Sequence, residues 1–396
     1  MEKRQHNPIH VVAAGTLIVG VSYGWGRYNY GLFLPEIKEA YNLSPAWLGL
    51  IGSLSYAGYF LSSLFTTLMS TKLGPRFMVT FGGILASVGL WLVSYSEDPI
   101  TLTIGLGIAG TSAGLCYTPL SDVSVRLFDK EKQARAYAIM NVGTTVGVIM
   151  AGPIALWYAA QWREAWLVFA ILSVLVTLYN FVTMPGREEK APNKAQHEHV
   201  SYKALLEFNK TRLYLVAFII GFTASVYWTF SVDLINIISE TNESLEGFGS
   251  VGSRIFWVIL GAAGCTGFIA GDIVRYLGLN KAVKLIALFE IASILLLTYS
   301  DLNYTTAMIS AALFGSSFVF ITCFVGIWAV YSFSKRPSLG FGFVFLIISC
   351  GQFLAPYLSG ILAEYTDLKT TFYMAAALLV LLYIIGPRTN IRELTE

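Results

Sequence analysis

Residues 11–37 read VVAAGTLIVGVSYGWGRYNYGLFLPEI. This run is long enough to cross a bilayer as a helix, which takes about 20 apolar residues. Before Pro35, where it is expected to stop, it contains one charge, Arg27, flanked by Tyr23, Trp25, Tyr28 and Tyr30. In hydrocarbon such a charge is costly, and by default it faces a wet cavity and finds a partner. Arg27 lies eight residues before Pro35, roughly 12 Å from the helix end at 1.5 Å per residue, and snorkelling recovers only part of that depth.

The rest of the chain repeats the pattern. Of 396 residues, 55% are hydrophobic and 13% charged, with a mean hydropathy of +0.63. Soluble domains carry about 25% charged residues, so an all-α membrane protein is expected. A closed barrel is excluded by the lack of period-two alternation. Twelve apolar spans emerge, at about 11–34, 46–69, 77–95, 100–122, 135–160, 165–184, 213–237, 250–271, 282–300, 304–332, 340–363 and 370–386. The apolar run from Val11 is too long for a cleavable signal peptide. A polar linker over 185–212 divides the chain into halves at 1–184 and 213–396, and residues 201–209 suit a helix lying on the membrane surface.

Lysine and arginine distribution sets the expected topology. Placing both termini and the linker on one side gathers Lys3, Arg4, Lys72, Arg76, Arg126, Arg135, Arg275, Lys281, Lys335 and Arg388 there, with many more. The other side keeps Lys38, Arg163, Arg254 and Lys369 among acids such as Glu36, Glu39, Glu97 and Glu240. Both termini are therefore expected in the cytoplasm, in a bacterial cytoplasmic membrane.

An internal repeat is visible. An offset of about 204 residues lays Lys72-Leu73-Gly74 on Tyr276-Leu277-Gly278 and Tyr23-Gly24-Trp25 on Tyr227-Trp228-Thr229. One residue less lays Gly152-Pro153 on Ala355-Pro356. Two pseudo-symmetric six-helix bundles form a transporter architecture, with the substrate site between them near the midplane.

The six-plus-six layout, the basic linker and the loop motifs resemble the major facilitator superfamily over essentially the whole chain. The family's loop between its second and third helices reads roughly G-x-x-x-D-R-x-G-R-R. The stretch TLMSTKLGPR (Thr67 to Arg76) matches it at Lys72, Gly74 and Arg76, with Thr71 in place of the aspartate and Pro75 in place of an arginine. The second copy, GDIVRYLG (Gly271 to Gly278), keeps both glycines and puts Arg275 in the aspartate position. The fourth span has Leu106 where family members often carry an arginine before a glycine. Gly143, Gly147 and Gly152-Pro153 partly match the exporters' glycine-rich motif, and close helix packing accounts for them equally. The opening GRYNYGLFLPEI is similar to a bacterial branch of the superfamily. The resemblance implies that the first, fourth, seventh and tenth helices line the cavity.

Candidate substrate-binding residues follow: Arg27, Tyr23, Tyr30, Tyr56, Tyr59, Tyr117, Asn141, Tyr227, Trp228, Trp328 and Gln352, with Thr144 and Ser349 beside them. Candidate coupling or gating residues are Asp233, Glu290, Asp122 and Arg126. Asp233 is the expected counterpart of Arg27 across the cavity, and Glu290 is either a structural acid or a proton site. Asp122 and Arg126 form an i,i+4 pair at the cytoplasmic end of the fourth span. The aromatics suit a ligand with an apolar or planar body, and Arg27 suits a negative group.

The expected function is secondary active transport of a small organic solute, an anion or amphiphile, by alternating access with proton coupling. The alternatives are a proton-coupled drug or metabolite efflux pump and a non-transporting sensor with the same fold. A Walker A pattern is absent and no histidine falls in the expected spans, so an enzyme is not expected. Neither a cofactor nor a metal is anticipated, and Cys116, Cys265, Cys323 and Cys350 read as apolar packing residues. The expected partners are the substrate, protons and the lipid bilayer, with no nucleic acid and a monomeric state.

Overall fold

The structure, a computed structural model, describes residues 7–159, 161–186, 210–241, 251–299, 303–333 and 337–387. All regular structure among the described residues is helical. The rods are α1 Pro8–Leu32, α2 Pro45–Leu73, α3 Pro75–Ser94 and α4 Pro99–Leu127. α5 comes in two pieces, Lys130–Asn141 and Gly143–Trp157, followed by α6 Trp162–Thr183 and α7 Thr211–Thr241. α8 runs over Ser253–Leu277, then come α9 Leu279–Thr298, α10 Tyr304–Ser332, α11 Pro337–Tyr365 and α12 Leu368–Ile385. The expected surface helix over 201–209 lies outside the described residues.

Among the described residues, eleven helices are long and apolar enough to cross a membrane. The rod left out is α9, whose 20 residues include Lys281, Lys284 and Glu290.

Helix ends follow local chemistry. Asp98 caps α4: its carboxylate accepts the Thr101 hydroxyl at 2.6 Å and the Ile100 and Thr101 amides at 2.9 Å. These bonds, the Thr101 hydroxyl foremost, hold its carboxyl below the ordinary range by favouring the charged form. Gly74 and Gly278 precede α3 and α9 with nearly the same left-handed backbone, φ 81° and ψ 159° against φ 77° and ψ 154°. A side chain would strain either turn. The two loop glycines aligned by the repeat thus share a conformation as well as a sequence. Arg76 fastens the first loop, its Nε donating to the Met184 carbonyl at 2.7 Å.

Helix packing carries the same repeat. α2 packs on α4, α3 on α4 and α6, and α1 on α5. Adding six to each number gives α8 on α10, α9 on α10 and α12, and α7 on α11, and these pairs also form. α2 with α11 and α5 with α8 join the halves, a set that the same exchange maps onto itself.

Two details of the opening stretch differ from expectation. Pro35 does not end the helical path; it occupies the first turn of a further helix, Leu34–Tyr41, after a break at Phe33. Proline fits there because the first-turn amide needs no intrahelical partner. Asn42, at φ 50°, ends that helix, in the left-handed region asparagine tolerates. His10, expected in the terminal tail, falls in the first turn of α1, with Nδ1 2.8 Å from the Tyr179 hydroxyl.

Candidate functional site

The centre of α1 is a π-helix over Gly20–Tyr28. Its glycines allow close packing: a Cβ on Gly24 would lie 2.7 Å from the Gly147 Cα of α5. Trp25 donates to the Gly147 carbonyl at 2.9 Å. The wider i→i+5 winding, often found at functional sites, brings residues four and five apart onto one face. Tyr23, Arg27 and Tyr28 therefore all face a central cavity of about 580 Å³.

The other walls come from both halves. α2 gives Tyr59, α4 gives Tyr117, and α5 gives Asn141, Thr144 and Thr145. From the second half come Phe318, Thr322 and Cys323 of α10 and Phe345 and Gln352 of α11. Tyr117, Asn141, Cys323 and Phe345 also border a vestibule of about 1400 Å³, lined further out by Asp272, Arg275 and Tyr331. The cavity thus opens toward the end of the bundle where α4 finishes and α9 starts.

Arg27 sits at the blind end and is 4% exposed. One terminal nitrogen donates to the side-chain carbonyl of Gln352, and Nε has no partner among the described residues. The guanidinium carbon lies 3.7 Å from the Tyr59 ring centre and 5.2–5.3 Å from those of Tyr23, Tyr28 and Tyr56. A cation over one such face gains roughly 0.5–2 kcal/mol, well short of the several kcal/mol that desolvating an ion costs. Among the described residues no carboxylate lies within ion-pair distance of Arg27. The cavity holds a buried cation whose one hydrogen-bonding partner there is neutral.

Asp233 is not the counterpart of Arg27. Both its oxygens lie 3.2 Å from Lys38 Nζ, on the Leu34–Tyr41 helix beyond the break in α1. A second cross-half pair joins Glu36 to Arg254. Backbone contacts close the same end: Gly31 abuts the Trp228 carbonyl, Gly49 the Pro356 carbonyl and Gly360 the Pro45 carbonyl. The Tyr357 amide donates to Ser53 Oγ at 3.0 Å. One end of the bundle is sealed while the other is open.

The remaining candidates divide. Tyr23, Tyr59, Tyr117, Asn141 and Gln352 line the cavity with Arg27, and Tyr56 stands behind the guanidinium. Tyr30 is tied to the Leu48 carbonyl at 2.9 Å. Tyr227 lies in the core of the second half, stacked on Phe314 at 3.7 Å with its hydroxyl 2.7 Å from Ser310 Oγ. Trp228 lies behind the wall, stacked on Tyr28 at 4.2 Å and edge-on to Phe318 at 5.7 Å. Trp328 is half-buried outside the cavity walls, and Ser349 bonds the Phe345 carbonyl.

Glu290 is fully buried in α9, and neither oxygen has a partner among the described residues. Asp122, half-buried, and Arg126, exposed, lie at the open end. Cys323, expected to pack in the interior, lines the cavity instead.

Sequence reasoning missed Tyr28, Phe318 and the Lys38 and Glu36 pairs. The adjacency of Tyr28 to Arg27 was the available signal, but α-helical pitch puts neighbours about 100° apart and so on different faces.

Comparison with known proteins agrees with this architecture. The sequence matches the Major Facilitator Superfamily over residues 16–338. It is 25% identical over 402 residues to monocarboxylate transporter 11 of Homo sapiens, covering 96% of this chain and 82% of that protein. It is 21% identical over 335 residues to the transcription regulatory protein OpdE of Pseudomonas aeruginosa, covering 83% of this chain and 81% of that one. The crystal structure of the nucleoside transporter NupG superposes with a TM-score of 0.77 at 14% identity, over 95% of this chain and 97% of that chain. That likeness concerns the fold. With a helical bundle arranged around a central cavity and a family match over most of its length, the chain belongs to the major facilitator superfamily of membrane transporters.

Proposed function

We propose that the protein is a secondary active transporter that moves a small organic anion, a carboxylate with an apolar or planar body, by alternating access. The observation that carries this reading is Arg27, a buried guanidinium at the blind end of an aromatic cavity whose one hydrogen-bonding partner among the described residues is neutral. A carboxylate is its natural complement, since the planar fork of arginine matches two carboxylate oxygens. A volume of about 580 Å³ exceeds what the smallest carboxylates fill and falls within the range of pockets for drug-sized ligands. The name of the monocarboxylate relative agrees with that class.

In this reading α9 is the remaining span. Lys281 and Lys284 stand near its start, where their stems reach the interface. Twelve spans then make two six-helix halves, 1–184 and 213–396, with both termini in the cytoplasm by the lysine and arginine bias. The open end faces the cytoplasm and the sealed end faces outward. The coupling ion is a proton.

The test is uptake into proteoliposomes of a panel of carboxylates and their neutral amide isosteres, with and without a pH gradient. A charge-assisted hydrogen bond contributes about 1.5–3 kcal/mol, so Arg27→Ala is expected to weaken carboxylate uptake by about tenfold or more. Amides moved as well as carboxylates, or carboxylates moved equally by Arg27→Ala, would refute the anion reading. Carboxylate binding without flux in any gradient would make the protein a sensor.

A further inference from the structure

Resting on that reading, we infer that Gln352 is a stand-in for the substrate: its side-chain carbonyl holds Arg27 in the empty protein and is displaced by the incoming carboxylate. A guanidinium has donors only, so the amide end facing it is the oxygen. Gln352 is 2% exposed and lines the cavity together with Arg27, so a ligand reaching the blind end meets both groups at once. The Tyr28 hydroxyl neighbours the same amide.

The exchange follows from the strengths of the partners. A neutral carbonyl satisfies one guanidinium donor, whereas a carboxylate offers two charged acceptors and bonds about twice as strongly. The Arg27 Nε that lacks a partner is a donor that one carbonyl leaves unused. Weak enough to yield to an anion, Gln352 still outcompetes a neutral isostere that brings only another carbonyl. It therefore sets a threshold: only a ligand that bonds Arg27 more strongly than an amide carbonyl gains by displacing it.

Position gives the contact a second consequence. Arg27 belongs to α1 and Gln352 to α11, so the bond spans the two halves at the blind end. Binding of an anion replaces a direct link between halves with one that runs through the ligand. The freed amide retains an N–H₂ that can donate to the bound carboxylate.

Binding of benzoate, with benzamide as the neutral isostere, tests this in purified protein by calorimetry and thermal melting. Gln352→Glu places a fixed carboxylate against Arg27. It is expected to raise the benzoate Kd at least about tenfold while raising the melting temperature of the ligand-free protein. Gln352→Met removes the competing oxygen at similar length, and benzoate and benzamide should then both bind more tightly than they do to the wild type, with benzoate still preferred. The double variant Arg27→Gln with Gln352→Arg returns the same two groups to opposite walls and should recover benzoate binding lost in Arg27→Gln alone. Wild-type affinity in Gln352→Glu, or no gain in affinity for either ligand in Gln352→Met, overturns the stand-in role. Benzoate binding that is absent in the wild type, or unchanged in Arg27→Gln, overturns the underlying anion reading instead.

Discussion

Gly31 is where the sealed end is most directly testable. A Cβ there would lie 3.0 Å from the Trp228 carbonyl carbon and 3.2 Å from the Thr229 carbonyl oxygen, with the Trp228 oxygen closer still. All three are backbone atoms of α7, so no side chain can swing aside. Overpacking of this kind costs about 1–3 kcal/mol. In Gly31→Ala that cost falls on the sealed arrangement alone, because the clash vanishes once the halves part. The helix-propensity gain of alanine, up to ~1 kcal/mol, applies to both arrangements and cancels. At 1.4 kcal/mol per factor of ten, the equilibrium should move about 5- to 150-fold toward opening at this end. Spin labels at Glu39 and Glu240, both exposed near that end, would report a longer distance by pulsed EPR in nanodiscs. Gly107→Ala is the control: a Cβ there meets only the Leu54 carbonyl oxygen at 3.9 Å. Distances in Gly31→Ala equal to those of the wild type and Gly107→Ala would refute the wedge.

Two further outcomes concern isolated charges. Glu36→Gln should open the labelled end more than Asp233→Asn does. It strips the carboxylate from Arg254, whose side chain is 5% exposed, and losing one member of a buried pair costs about 3–5 kcal/mol. Asp233→Asn releases Lys38, which is 33% exposed and turns to water, for about 1 kcal/mol or less. The same EPR pair ranks the two, and the reverse order would refute it. Glu290→Leu should raise the melting temperature, since it removes a fully buried carboxyl without hydrogen-bond partners among the described residues, worth about 1–3 kcal/mol. Normal stability with lost pH-driven flux would instead assign Glu290 to proton movement.

The rods and the repeat were legible in the sequence because hydrophobic length and loop glycines act locally. Gly74 and Gly278 announced their shared turn 204 residues apart, since few residues other than glycine accept that backbone. Arg27 was legible for the same reason, a charge in a medium that penalises it. Its partner was not. The repeat pointed to Asp233, but the break at Phe33 carries Lys38 across to that acid first, and the reach of a chain past a break is set by tertiary packing. Tyr28 escaped notice because α-helical pitch was assumed where the helix is π-wound. Tyr227 illustrates the opposite error. Its place in the repeat suggested a cavity wall, yet Phe314 and Ser310 enclose it, and one sequence cannot distinguish an aromatic that packs from one that binds.

The buried guanidinium also gives the proposed transport cycle an electrical character. With a carboxylate seated on Arg27 that pair carries no net charge, so the loaded step moves the charge of the coupling proton through the membrane field. Arg27 of the empty protein, held among the described residues by the neutral amide of Gln352, carries an uncompensated positive charge. One elementary charge crossing the full potential amounts to about 2.3 kcal/mol per 100 mV. Voltage therefore acts on the return of the empty protein through Arg27 and on the loaded step through the proton.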